Sequence, residues 1–96
     1  MTVNLADYPI PEKDVVGQVV DGEAVLVLPS KGKVKVLNEV GARIWQLADG
    51  TRSIGEIAEQ ITREYEVDIQ QAQRDVISFC QELVGKDVMR IGSVSE

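Results

Sequence analysis

Residues 15–37 read VVGQVVDGEAVLVLPSKGKVKVL and contain three apolar runs separated by turn-forming residues. The first two runs flank Asp21 and Gly22, a pair that favours a type I′ turn because both central residues of that turn need positive φ. The second run ends at Pro29, and the third alternates lysine with valine, which is typical of a strand with one face in solvent. The segment therefore predicts a three-stranded antiparallel meander.

Helical periodicity follows the third run, and capping residues mark where three helices begin. Asn38 is suited to cap the first helix. Ser53 and Glu56 have the spacing of a capping box, so a second helix is expected to begin there. Asp68 and Gln71 repeat this spacing more weakly before a third helix.

The element order is β-β-β-α-α-α, with a possible short strand at residues 88–91. Three helices beside a small antiparallel sheet predict an α+β, winged-helix-like fold, a meander followed by a three-helix bundle. A chain of this length makes one domain, assigned to residues 15–91. Residues 1–14 contain two prolines and no sustained period, so they are interpreted as an extended arm, with regular structure beginning at Val15. Residues 92–96 form a tail.

Composition excludes several classes of function. Sixteen acidic and ten basic residues give a formal charge of −6, which opposes binding to nucleic-acid phosphates. Without histidine and with Cys80 alone, the chain lacks the residues of a His or multi-Cys metal site and of a Ser-His-Asp or Cys-His catalytic set. No secretory signal or membrane-spanning apolar run is visible. We expect a cytoplasmic protein that is not an enzyme, with no cofactor and no catalytic residue.

The sequence LNEVGARIW at residues 37–45, with LADGTRSI at residues 47–54, resembles the PqqD family. The resemblance covers residues 15–91. It implies a small domain that recognises the leader segment of a ribosomally made precursor peptide and delivers the core to a modifying enzyme, often a radical SAM maturase. It also implies that the protein is a peptide chaperone without catalytic activity, active in cofactor or natural-product biosynthesis.

The resemblance further implies that the leader binds by β-augmentation, pairing with the edge strand before the first helix and lying against the third helix. This mechanism needs an edge that the proline-bearing arm leaves uncovered. Carried onto this sequence, the peptide-binding residues are Val34, Lys35, Val36 and Leu37 on the strand and Asp75, Val76, Phe79, Cys80 and Leu83 on the helix.

Lys31, Lys33 and Lys35 recur at a spacing of two and are expected to share one face near this edge. Lysines on an edge strand discourage uncontrolled pairing with other strands. Alternatively, they provide a local positive field that steers an acidic leader to the site. A salt-dependent affinity for the leader would distinguish steering from protection of the edge.

Three further side chains have alternative interpretations. Trp45 lies beside the apolar stripe of the first helix and is assigned to packing or to a partner contact. Phe79 belongs to the core or to the floor of the groove. Cys80 is interpreted as a small core side chain, because no basic residue lies three or four positions away to lower its pKa. The acidic residues Glu56, Glu59, Glu64 and Glu66 are interpreted as a solvated face or a docking surface for the maturase.

Other functions remain as alternatives. A winged-helix DNA-binding regulator would read DNA with the third helix, but Arg74 and Lys86 are outnumbered there by acidic residues. A small acidic carrier protein fits the size and charge but not three leading strands. A homodimer formed through the third strand would compete with leader binding, because both would use the same edge.

Overall fold

The computed structural model describes residues 3–92 as two small antiparallel sheets and three α-helices. This confirms the α+β class, the three-stranded sheet, the three helices and a short terminal strand. Of the predicted tail at residues 92–96, all but the first residue lie outside the described part. The elements are β1 (Tyr8–Pro11), β2 (Val16–Val20), β3 (Glu23–Leu28), a 3₁₀ turn (Pro29–Lys31), β4 (Lys33–Leu37), α1 (Glu39–Leu47), α2 (Ile54–Glu64), α3 (Ile69–Gly85) and β5 (Met89–Gly92).

Strands β2, β3 and β4 form the predicted meander, in the order β2-β3-β4. In the turn between β2 and β3, Asp21 has a φ of 52° and Gly22 a φ of 78°, so both central residues have the positive φ of a type I′ turn. Leu26 in the middle strand pairs with Gly17 on one side and with Lys35 on the other. Strand β4 is therefore an edge strand, and within residues 3–92 no other strand pairs with its outer side.

The two faces of β4 are inverted relative to the usual pattern of apolar side chains inward and polar side chains outward. Leu26 is buried in the core, and its cross-strand partner Lys35 lies on the same, inner face of the sheet. Val34 and Val36 alternate with the lysines and lie on the outer face, where they are 65% and 64% exposed. The strand thus presents two apolar side chains to solvent beside its unpaired backbone edge.

Strand β1 lies inside the arm, so the prediction that regular structure begins at Val15 was wrong. It pairs antiparallel with β5 in a separate two-stranded sheet. The carbonyl oxygen of Asp7 accepts a 2.9 Å hydrogen bond from the N–H of Ile54, the first residue of α2. This bond satisfies a backbone donor that the start of a helix leaves without an intrahelical partner. Residues 3–14 of the arm are fastened to β5 and α2 and leave the edge of β4 uncovered.

The starts of the first two helices follow the predicted caps. The Oδ1 atom of Asn38 accepts a 2.8 Å hydrogen bond from the N–H of Gly41. Ser53 and Glu56 form both bonds of the capping box, since the Ser53 N–H donates to Glu56 Oε1 at 2.8 Å and the Glu56 N–H donates to Ser53 Oγ at 3.2 Å. These caps fix where α1 leaves β4 and where α2 begins.

The core lies between the inner face of the three-stranded sheet and the helices. Trp45 is partly buried and packs against this core, with its indole over β2. A Cβ atom on Gly17 would lie 2.6 Å from Trp45 Nε1, so only glycine allows this approach. Trp45 therefore has a packing role. Among the described helices, none is both long and apolar enough to cross a membrane. The larger core side chains include Leu26, Leu28, Ile44, Ile54, Ile57, Ile61, Val76, Leu83 and Met89.

Candidate functional site

Two depressions lie near the two ends of β4, one lined by the strand itself and by Lys86 just after α3, the other by α1, its cap Asn38 and α3. We call them the lysine end and the Phe79 end. The lysine end has a volume of about 580 Å³ and is lined by Leu28, Lys33, Val34, Lys35, Val36, Lys86 and Val88. The Phe79 end has a volume of about 390 Å³ and is lined by Asn38, Val40, Gly41, Ile44, Asp75 and Phe79.

An ion pair joins β4 to α3 at the lysine end. The Nζ atom of Lys35 lies 2.8 Å from Oε2 of Glu82, and the Nζ atom of Lys86 lies 3.0 Å from the same oxygen. Hydrogen bonds from Lys35 and then from Lys86 lower the pKa of the Glu82 carboxyl. Glu82 therefore stays ionised at neutral pH and holds both ammonium groups near the sheet edge.

Two more lysines lie at the same end. Lys31 is the last residue of the 3₁₀ turn, and Lys33 is the first residue of β4. Lys31 forms a 2.6 Å ion pair with Asp87 and lowers the pKa of that carboxyl through its hydrogen bond. Lys33 forms no ion pair with any residue in the range 3–92 and is exposed. The three predicted steering lysines thus lie near one end of the site, but Lys31 comes from the 3₁₀ turn and only Lys33 and Lys35 belong to the strand.

The Phe79 end depends on a close approach between α1 and α3. A Cβ atom on Gly41 would lie 3.2 Å from Phe79 Cε1 and 3.2 Å from Asn38 Oδ1. Phe79 is partly buried, packs against the core and also lines the depression. The core interpretation of Phe79 is therefore confirmed, and its role in a peptide groove stays a prediction.

Asp75 adds a negative charge to the Phe79 end. The capping box predicted for α3 is only half formed: Asp68 Oδ1 accepts from the Gln71 N–H at 2.8 Å, whereas Gln71 Oε1, the atom that would complete the box, accepts from Arg74 at 3.0 Å. The Gln71 side chain also donates a hydrogen bond to Asp75. That bond, from Gln71 Nε2 to Asp75 Oδ1, is 2.8 Å long. No cation in the described range lies within 4.0 Å of the Asp75 carboxylate.

Four of the nine predicted peptide-binding residues are core residues. The side chains of Leu37, Val76, Cys80 and Leu83 are buried, so a peptide on the surface would not reach them. Burial also raises the pKa of the Cys80 thiol to about 12, which agrees with its interpretation as a core side chain. These residues support the wall of the site from behind. No group of His, Cys, Asp and Glu in the described part could hold a metal ion.

The sequence analysis missed Glu82 and Lys86 as members of the site. Their i, i+4 spacing indicates a helical ion pair, but such pairs are common on solvated faces. Their position beside Lys35 depends on a contact between residues 47 positions apart, for which the sequence carries no local signal.

Comparisons of the sequence with known proteins give one consistent family. The model of the family described as Coenzyme PQQ synthesis protein D (PqqD) matches residues 23–89. A PqqA binding protein of Xanthomonas euvesicatoria is 32% identical over 65 residues, which cover 68% of this chain and 71% of the relative. A PqqA binding protein of Xanthomonas oryzae matches with the same identity and coverage.

Solved structures with the same fold include TbiB1 in complex with the TbiA(beta) leader peptide. That structure has a TM-score of 0.79 and 32% identity, and the match covers 84% of this chain and 94% of TbiB1. The PqqD part of Methylobacterium extorquens PqqCD, solved by NMR, has a TM-score of 0.77 at 20% identity, with 92% of this chain and 94% of that chain covered. At 20% identity, the likeness to this second structure is evidence for a shared fold only. On the matched sequence and the shared fold together, this chain belongs to the PqqD family.

Proposed function

We propose that this chain binds the leader segment of a ribosomally made precursor peptide by adding it as a fourth strand beside β4, and presents the peptide to a modifying enzyme. One observation carries the proposal: within residues 3–92 the outer edge of β4 is unpaired, and it lies next to a depression that is also lined by Lys86, the residue that caps the end of α3. An unpaired edge offers N–H and C=O groups in register to an extended segment. TbiB1, which is 32% identical, has been solved with a leader peptide.

Apolar contacts decide whether a peptide binds there. About four backbone hydrogen bonds would contribute about 0.5–1.5 kcal/mol each. Ordering about five or six peptide residues costs about 1–2 kcal/mol each. Two buried apolar side chains of the peptide would add about 1.5–3 kcal/mol each, so they are needed for net binding. These contributions nearly cancel, so we expect an affinity no tighter than micromolar and a strong dependence on Leu or Ile positions in the leader.

The proposed contact residues are those that a surface peptide could reach. On the strand they are Val34, Lys35 and Val36, and on the helix they are Asp75 and Phe79. The backbone of Leu37 belongs to the same edge, whereas its side chain is buried. The steering role of Lys31, Lys33 and Lys35 stays part of the proposal, with salt dependence of the affinity as its test.

The modifying enzyme is proposed to be a radical SAM maturase, and this chain is proposed to act without catalysis in the cytoplasm. The family resemblance supports the maturase, and the single buried thiol of Cys80 fits a reducing compartment. A homodimer formed through β4 would compete with the leader for the same edge. The winged-helix likeness and DNA binding stay predictions, and a gel shift with duplex DNA at low salt checks the latter.

An NMR titration tests the proposed site. The probe is a synthetic peptide with the leader sequence of a candidate precursor, added to the ¹⁵N-labelled chain. We expect amide shifts at residues 34–37 and along the exposed side of α3 at Asp75 and Phe79. Shifts confined to residues 56–66 would contradict the placement of the site.

Matched valine substitutions separate the two edges of the sheet. Val34→Thr with Val36→Thr keeps β-branched side chains on β4 but removes apolar contact with the peptide. Val16→Thr with Val20→Thr is the control on β2, the opposite edge, where the valines are similarly exposed at 57% and 54%. We expect the β4 pair to weaken binding about tenfold or more, and the β2 pair to leave it unchanged. Equal effects of the two pairs would contradict binding at β4.

A further inference from the structure

The lysine end of the site carries an excess of positive charge in an acidic protein. Lys33, Lys35 and Lys86 line it, and Lys31 is held nearby. Against these four ammonium groups stand the carboxylates of Glu82 and Asp87, so the local excess is 4 − 2 = +2, while the whole chain has a charge of −6. Glu82 is shared between two lysines and Lys33 has no carboxylate partner in the described range, which leaves positive charge for a ligand.

The Phe79 end has the opposite character. Asp75 faces it with one hydrogen bond from an uncharged amide, and the neighbouring Arg74 donates to Gln71 Oε1 at 3.0 Å rather than to Asp75. The amino end of α1 also opens here, but the Asn38 side chain caps it and Glu39 adds a negative charge in its first turn. Apolar surface from Phe79 and its neighbours makes up the rest.

The two ends are separated along β4 by a distance that a short extended peptide spans. From Lys33 or Lys35 to Asn38 is five or three positions, and a strand rises about 3.3 Å per residue, so the separation is about 10–17 Å. Among separations of three to five peptide residues, only four puts both peptide side chains on the same, helix-facing side, because successive side chains of a strand alternate between its two faces. The register of the peptide then brings one side chain to the lysines and another to Phe79.

We infer that this site selects leaders in which an apolar residue is followed, about four positions later, by Asp or Glu. The inference rests on the proposed function. The apolar side chain fills the Phe79 end, where Asp75 repels an acidic one, and the carboxylate meets the lysine end. Antiparallel pairing, which is somewhat more stable per residue and commoner than parallel pairing, puts the amino-terminal part of the peptide near Phe79 and so sets this order.

Selection from a random library tests the inference without knowledge of the natural leader. A library of 14-residue random peptides displayed as mRNA fusions is selected against the immobilised full chain at 50 mM salt. We expect enriched peptides to carry the apolar-then-acidic order at the stated spacing. Synthetic versions of the best peptides should bind at least threefold more tightly than versions with the two residues exchanged.

Charge reversal on the protein provides the matched comparison. Lys33→Glu and Arg63→Glu each change the net charge from −6 to −8, but Arg63 lies on the exposed surface of α2 and Lys33 lies at the lysine end. We expect Lys33→Glu to weaken the binding of the acidic peptides about three- to tenfold. Arg63→Glu should change their affinity much less. Equal weakening by the two variants would show a long-range effect of net charge and overturn the inference.

The outcomes separate this inference from the proposed function. Enriched peptides that shift the β4 amides but have no preference for Asp or Glu would overturn the inference. The same holds if they carry the acidic residue before the apolar one. Either result would leave strand addition intact. If no peptide is enriched, or if enriched peptides leave the β4 amides unshifted, both the inference and the proposed function fail.

Discussion

Lys35 on the edge strand β4 and Glu82 on α3 are joined by a 2.8 Å ion pair across the site. The pair ties the strand to the helix and partly neutralises the lysine that a peptide carboxylate would meet. Because Lys86 shares the same oxygen at 3.0 Å, one carboxylate restrains two cations. Glu82 therefore competes with any acidic ligand at this end of the site.

Replacing Glu82 tests this competition. Glu82→Gln should release both lysines and raise the affinity for acidic peptides about two- to fivefold, while the free energy of unfolding falls by about 0.2–1 kcal/mol, the range for solvent-exposed pairs. Glu59→Gln is the control, since Glu59 is exposed on α2 and its substitution removes the same charge. Calorimetric titration and urea unfolding measure the two quantities. Unchanged affinity in Glu82→Gln would show that Glu82 does not compete.

Gly41 controls the depth of the Phe79 end. In Gly41→Ala the added methyl group would contact the Phe79 ring at 3.2 Å, so the ring must shift toward the open side of the depression. Alanine favours the helix by about 1 kcal/mol, which offsets the steric cost, so stability should change by less than about 1 kcal/mol. Peptide affinity should fall several-fold.

Gly85→Ala is the matched control for this change. Gly85 is the last residue of α3, and an added Cβ atom there meets no other atom within 4 Å. This variant gains helix propensity without touching the site, so stability should stay equal or rise and peptide affinity should remain that of the parent chain. Thermal unfolding and peptide titration of both variants check the pair. A similar loss of peptide affinity in Gly85→Ala would show that Gly41 has no specific role in the site.

Local sequence signals predicted the elements of this fold well where neighbouring residues determine the structure. The turn at Asp21 and Gly22 and the caps at Asn38 and Ser53 need only a few adjacent residues. Strand β1 was missed because two prolines obscure it and because its partner, β5, lies about eighty residues later in the chain. Pairing at that separation depends on the finished packing.

The site was predicted only in part for a related reason. Helical period gives the face of α3 but not how deeply each side chain is buried, so Val76 and Leu83 were assigned to peptide binding although they lie in the core. The alternation of lysine and valine in β4 indicated that the strand has two different faces, but not which of them lies toward the core. Lysines lie inward there because Lys35 reaches a carboxylate on α3, a contact that arises only from the tertiary structure.

Cys80 should behave as a core residue without chemical reactivity. With the pKa of its thiol raised to about 12 by burial, the thiolate fraction at pH 8 is about one in ten thousand. Alkylation by iodoacetamide should therefore be slow in the folded chain and rapid in urea. Cys80→Ser should lower the free energy of unfolding by about 1–3 kcal/mol because it buries a hydroxyl without a partner. Cys80→Ala should cost less and leave peptide affinity unchanged. Rapid alkylation of the folded chain would contradict this burial.

Arg43 and Glu64 give the fold a defined response to acid. Two 2.7 Å hydrogen bonds join the guanidinium to the carboxylate, and these bonds, together with one from Gln60, lower the pKa of Glu64 from 4.5 to about 2. Because the folded pKa lies below the unfolded one, the unfolded chain binds more protons between these values. The stability from this pair is therefore complete above about pH 4.5 and is lost as the pH falls toward 2. Since both side chains remain partly exposed, its size is about 1 kcal/mol or less.

Arg43→Met should raise the pKa of Glu64 toward 4.5 and flatten the fall in stability between pH 4.5 and 2. Carboxyl ¹³C shifts report the pKa, and urea unfolding at a series of pH values reports the stability. Arg63→Met is the control, because among residues 3–92 the Arg63 guanidinium donates only to Gln60, so its loss should leave both curves nearly unchanged. If Glu64 still titrates near pH 2 in Arg43→Met, the lowered pKa comes from the Gln60 amide, and the ion pair does not set the acid response.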